Sequence, residues 1–280
     1  MEKTNENIYI NSVDDFLNKI YSDSVTDIHN KTQDKTYFYR GHSNEEWNLI
    51  PSVFRGDTLD KEQSLYYQSS SLLSEEFSSD MTTFDKLVKM QHYSLPTRLL
   101  DVTYNPLVAL YFACCDNDDS NGCVLVFEVK TNKIKNYDSD CVTLLSNLAK
   151  CKKESDLWEL LHQVKQERFF EDEYLDEKNL DDYFFVNPKR NNDRIKAQNG
   201  AFIIVGGIKK TNNSNDKNDL KNKLIEKTDS PSFPKEKTKF YIDCGKKEDI
   251  LKELDVLGIN KGNLYCDLSF RVKEISKTLK

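Results

Sequence analysis

Apolar positions recur at helical spacing near the start of the chain, at Val13, Phe16, Leu17 and Ile20, directly after Ser12 with Asp15 three residues on. A hydroxyl cap followed by a 3.6-residue stripe predicts a helix over 13–22. A polar stretch then gives way to Thr36-Tyr37-Phe38-Tyr39-Arg40, an aromatic run that stops at Gly41 and reads as a strand. Residues 61–79 and 83–92 carry helical patterns, the second opened by a threonine cap with Asp85 in its first turn. Asn105-Pro106 sets a cap before a proline at the first helical position, which makes the apolar run after it a buried helix. Gly122 opens a β-branched apolar run, read as a central strand. The pattern over 139–175 is helical, with Leu157, Trp158, Leu160, Leu161 and Val164 as its stripe. Strands follow at 201–206 and 239–243, then helices at 246–257, stopped by Gly258, and at about 267–279.

Strands and helices mix without a regular βαβ alternation, so the pattern predicts an α+β fold with a mixed central sheet flanked by helices, in one domain over 1–280. Between about 209 and 229 the chain turns to Asn, Lys, Asp and Ser with almost nothing to bury, which reads as an exposed insertion or disordered loop. Composition adds exclusions. No run approaches 18 apolar residues, and the first residues lack a basic start followed by an apolar stretch, so a membrane span and a secretory signal are not expected and the location is read as cytoplasmic. A net charge of -7 weighs against a duplex-binding face without excluding a local basic patch. Seven cysteines without a CxxC pair read as reduced, buried groups, and no metal is expected.

The densest polar constellation lies between Met90 and Ala113, where Gln91, His92, Thr97, Arg98, Asp101, Thr103 and Asn105 are flanked by apolar residues. Taken singly they fit structural roles, Arg98 and Asp101 as an internal ion pair fixing a loop and Asn105 as a helix cap. Taken together they form a network of the kind built around sites. Arg40 before Gly41 offers a guanidinium fork beside a residue that lets the backbone turn or a ligand approach closely. Arg194-Ile-Lys-Ala-Gln198-Asn-Gly is a polar approach to a buried strand.

Three blocks, Tyr37–Gly41, Gln91–Ala113 and Arg194–Phe202, resemble in order the FRG domain, named for its Phe/Tyr-Arg-Gly motif, with Ser94 where a glycine is usual and Val102 where tryptophan is frequent. The blocks span about 37–204. More distantly they are similar to arginine-type ADP-ribosyltransferases, which implies a core of that kind. The Tyr-Arg-Gly strand end resembles the arginine that holds a phosphate of NAD, the Thr103-to-Ala113 stretch the second motif, and Gln198 the first position of Gln-x-Glu, although Gly200 stands where the glutamate would be.

The resemblance implies NAD as substrate and an acceptor that is nucleic acid or protein, in a toxin or phage-defence setting with a neutralising partner. Arg40 would clamp phosphate, His92 and Thr103 would contact ribose or base, and Gln198 and Asp101 would position the reacting centre. Gly41, Arg98 and Asn105 complete the implied binding set. A non-catalytic module that recognises a nucleotide or RNA, and a protein-interaction domain, are the other readings open at this point. A single site requires the Arg40 strand and the Gln198–Phe202 strand to share a sheet, with the Arg98–Asp101 loop above their ends.

Overall fold

The computed structural model describes residues 7–22, 34–78, 80–117, 119–171, 176–211, 224–228 and 230–265. β1 (Ile8–Ile10) leads into α1 (Val13–Tyr21), where Ser12 Oγ accepts from the amide of Asp15. β2 (Lys35–His42) carries the aromatic run and continues through Gly41 rather than stopping there. Short 3-10 turns precede α2 (Glu62–Leu72), and α3 (Thr83–His92) opens on a full capping box between Thr82 and Asp85. α3 closes with Ser94 at φ 61° and the amide of Leu95 bonded back to the Met90 carbonyl at 3.0 Å. A left-handed residue at this position is most cheaply a glycine.

Next come β3 (Leu99–Thr103) and α4 (Pro106–Cys114), the helix capped by Asn105 Oδ1 on the amide of Leu107 at 3.0 Å. β4 (Gly122–Lys130), β5 (Ile134–Asn136), α5 (Asp140–Asn147), β6 (Glu154–Asp156) and α6 (Leu157–Glu167) follow. The predicted continuous helix over 139–175 is therefore interrupted, because Asp156 ends a strand and caps α6 through the Glu159 amide at 2.6 Å. β7 (Tyr183–Asn187), α7 (Asp193–Ala197), β8 (Gly200–Val205), β9 (Ile208–Thr211), β10 (Leu224–Lys227), β11 (Thr238–Ile242), α8 (Lys247–Val256) and α9 (Lys261–Leu264) complete the described chain. The helix predicted at 267–279 lies outside the described residues.

Among the described residues the main sheet runs β1-β11-β4-β2-β3-β8-β7-β5, and β6-β10-β9 form a second sheet. The main sheet is mixed: β1 with β11 and β5 with β7 are parallel, the other neighbours antiparallel. This is the α+β architecture with a mixed sheet between helices that the pattern predicts. Helices α1, α4 and α8 bury Phe16, Ala109 and Leu254 against Val124 and Phe240 of the sheet. Helices α3, α5 and α6 bury Leu87, Leu145 and Leu160 with Phe202 of β8. Phe38, Leu100, Phe127 and Ile203 make a third cluster with Val53 and Phe54 of the 3-10 turn before α2.

Gly41 and Gly122 let α4 lie directly on the backbones of β2 and β4. A Cβ at Gly41 would meet the Ala109 carbonyl oxygen and come 2.6 Å from the Ala113 amide nitrogen, and one at Gly122 would meet the Ala113 carbonyl. The glycine of the Tyr-Arg-Gly run thus serves helix–sheet contact, not a turn.

The predicted exposed insertion is corrected at its flanks. Residues 208–211 and 224–227 pair as antiparallel strands, and residues 212–223 lie outside the described residues. Lys227, read as part of a solvated tract, is buried, because its ammonium donates to Glu62 Oε2 and to the Cys151 carbonyl, both at 2.7 Å.

Candidate functional site

The strand pairing opens the site. β2 and β3 pair only at Tyr39 opposite Thr103 among the described residues. Past that point Arg40 Nη1 donates to the main-chain carbonyl of Asp101, taking the place of a ladder amide. Arg40 Nε donates to His42 Nε2 at 3.0 Å, and Nη2 makes no hydrogen bond among the described residues. Burial draws the Arg40 guanidinium below its ordinary pKa, and the Asp101 charge opposes that shift.

Above this break lies a cleft of about 200 Å³, lined by Arg40, Gly41, Asp101 and Thr103 from the two strands, by Trp47 and Phe112, and by Arg194 and Gln198 of the α7 turn. A smaller compartment of about 60 Å³ adjoins it, lined by Gln91, His92, Asn192 and Gly200, and shares Asp101, Val102, Arg194 and Gln198 with the first. The Arg40 strand and the strand that follows Gln198 share one sheet, and Arg40, Asp101, Thr103 and Gln198 line one cleft. The segment expected as a loop above the strand ends is itself β3, sitting between β2 and β8.

Asp101 is oriented by a relay. The Leu99 amide donates to Thr97 Oγ1 at 3.2 Å, so the Thr97 hydroxyl proton goes to Gln91 Oε1. The Gln91 amide then presents Nε2 to Asp101 Oδ2 at 2.6 Å, and Asp101 lines both compartments. Arg98 does not pair with Asp101 and does not reach the cleft. It is fully buried, donating to both carboxylate oxygens of Glu62 at 2.9 and 2.6 Å and to the carbonyls of Val205 and Gly206. The physical reason is strand periodicity, since residues three apart along an extended segment face opposite sides.

Thr103 and Asn105 line or flank the cleft with their polar atoms already engaged. The Thr103 hydroxyl donates to the Gln198 carbonyl at 2.7 Å and accepts from the Asn105 amide at 2.9 Å, while Asn105 caps α4. Gln198 ends α7 instead of opening β8, which starts at Gly200, and its Nε2 donates to the Leu264 carbonyl at 3.1 Å. His92 lines the smaller compartment, its ring edge-on to Tyr93 at 5.3 Å.

Several cleft residues escape the sequence reading. Arg194 sits one helical turn before Gln198, a spacing visible in the Arg-Ile-Lys-Ala-Gln run. Trp47, half exposed in the lining, carries no local signal, nor does Tyr265, which lines neither compartment but packs edge-on against the cleft residue Phe112 at 6.2 Å. Cys115 and Asp116 also line the cleft. Burial and the Asp116 charge push the Cys115 thiol up to about 12, so it stays protonated and is not a nucleophile.

The rim is fixed from beneath by Lys247, which is buried and donates to the carbonyls of Ser43, Asp116 and Asn117 at 2.8, 3.0 and 2.8 Å. No group of three or more His, Cys, Asp or Glu among the described residues could hold a metal ion, and no described helix is long and apolar enough to cross a membrane.

No curated protein and no solved structure matches the chain. A family model, that of the FRG domain, matches residues 35–122. The matched span runs from the start of β2 to the first residue of β4; it holds Arg40, Gly41, His92, Asp101 and Thr103, and stops short of Arg194 and Gln198. Over residues 35–122 this chain carries an FRG domain.

Proposed function

We propose that the cleft binds a nucleotide and that, with NAD, the protein acts as an ADP-ribosyltransferase-like enzyme on a nucleic-acid or protein acceptor. One observation carries the reading: guanidinium, carboxylate and aromatic groups line the same cavity. Arg40 suits a phosphate, Asp101 and Asp116 suit ribose hydroxyls, and Trp47 and Phe112 suit a base or nicotinamide ring. A volume of about 200 Å³ is below the ~300–1,000 Å³ of most small-molecule pockets, so the cleft would enclose one end of a dinucleotide.

Cleavage of the glycosidic bond passes through an oxocarbenium-like state that a carboxylate stabilises. Gly200 supplies none. Asp101 lines both compartments and the relay engages one of its two carboxylate oxygens, so it is assigned that role. Gln198 borders the same place, with its amide nitrogen turned to the Leu264 carbonyl. The second reading, a nucleotide-binding module without transfer, is favoured by Gly200 alone.

Calorimetric titration with NAD and incubation with labelled NAD and cell extract test both readings. Wild-type protein should bind NAD. Arg40→Ala should lose about 1.5–3 kcal/mol of binding, and Arg40→Lys should restore part of it. Asp101→Asn should keep binding and lose label transfer. Binding without transfer by the wild type selects the module reading, and absence of NAD affinity at millimolar concentration overturns the transferase and leaves the binding module in front.

A further inference from the structure

Arg194 lines both compartments of the cleft, and its guanidinium has no hydrogen-bond or ion-pair partner among the described residues. The neighbouring cations on the same segment are engaged: Arg190 donates to Asn199 Oδ1 at 3.3 Å and Lys196 pairs with Asp193 at 3.1 Å. Arg194 is nevertheless held in place. Its guanidinium stands over the ring of Tyr265 at 5.0 Å from the centroid, and Tyr265 is braced in turn by Phe112. Burial raises the Tyr265 pKa, so the ring stays a neutral platform for the cation.

A half-buried guanidinium that is fixed in position and lacks acceptors is a site in need of an anion. Arg40 does not serve this need alone. With Nε–H on His42 and one Nη1–H on the Asp101 carbonyl, its remaining donors, the second Nη1–H and the two of Nη2, converge on one acceptor group and can serve a single phosphate.

We infer that Arg194 is a second phosphate-binding arginine, and that the cleft selects nucleotides bearing a diphosphate over nucleoside monophosphates. This rests on the nucleotide reading of the same cleft. Arg40 takes one phosphate through its remaining donors, and Arg194 takes the other with its whole fork. A monophosphate satisfies one guanidinium and leaves the second without an acceptor. Asp101 and Asp116 sit in the same cavity as the two arginines, so a ligand must bring hydroxyls as well as phosphate, which inorganic diphosphate does not.

Isothermal titration with ADP, AMP and inorganic diphosphate separates the outcomes. Wild-type protein should bind ADP about tenfold or more tighter than AMP, the order of one charge-assisted contact. Arg194→Ala should remove that preference while leaving AMP affinity within about twofold, Arg194→Lys should restore part of it, and thermal melts of both variants should match the wild type. Tyr265→Leu should weaken ADP more than AMP. Equal affinity for ADP and AMP in the wild type, or a preference that survives Arg194→Ala, overturns the inference and leaves nucleotide binding standing. Diphosphate binding as tightly as ADP also overturns it. Failure of ADP and AMP alike to bind overturns the nucleotide reading and this inference with it.

Discussion

Arg98 and Glu62 form a buried two-bond ion pair at 2.9 and 2.6 Å, joining the residue before β3 to the first residue of α2. Lys227 adds a second cation on the same carboxylate at 2.7 Å. Removing one member leaves charge without compensation, so Arg98→Ala or Glu62→Gln should cost on the order of 3–5 kcal/mol in urea denaturation. Nucleotide affinity of the remaining folded protein should be unchanged, because Arg98 lines neither compartment of the cleft.

The same pair sets an acid limit. Despite desolvation, Arg98 and Lys227 hold the Glu62 pKa at about 2, below its ordinary 4.5. A depressed carboxylate contributes stability above its unfolded pKa and loses it as pH falls through the folded one. Denaturation midpoints should therefore decline as pH drops from about 4.5 toward 2, and Glu62→Gln should flatten that decline.

His42 predicts a second slope at milder pH. Its ring accepts from Arg40, and burial together with the Arg40 charge pulls its pKa from 6.5 to about 3. Between those values the unfolded ring binds a proton and the folded ring does not, so stability falls with pH. A loss of about 1–2 kcal/mol between pH 6.5 and 5 is expected. In His42→Asn that segment of the stability curve should be flat.

Ser94 offers a gain. At φ 61° it occupies the left-handed region at the end of α3. Ser94→Gly should raise stability by about 1 kcal/mol in a thermal or urea melt. Gly41→Ala should do the reverse, costing about 3 kcal/mol or more, since the obstructing atoms belong to the α4 backbone and cannot rotate away.

Much of this fold is legible where signals are local. Ser12, Thr82 and Asn105 mark helix starts by their own chemistry, and the apolar runs of β4, β8 and β11 declare strands. β1, β5 and β6 are three residues each, too short for any period to show. β3 is hidden because Asp101, facing the cleft, interrupts its apolar run. For the site, Arg40, Asp101 and Gln198 are readable from their motifs. The partner of Arg98 is not, since Glu62 lies 36 residues away and only the tertiary fold brings it in. Tyr265 is hidden for the same reason, being placed by α9 against Phe112 of a helix laid down 153 residues earlier.

Lys247 gives the cleft a property that its lining alone does not. Its ammonium is neutralised by carbonyl dipoles only, and no carboxylate among the described residues pairs with it. A whole positive charge therefore sits in low-dielectric surroundings directly under Ser43 and Asp116, where solvent screens it weakly. A chain of net charge -7 thereby gathers a buried cation behind the two arginines of the cleft, and the rate of anion capture there should fall with rising ionic strength.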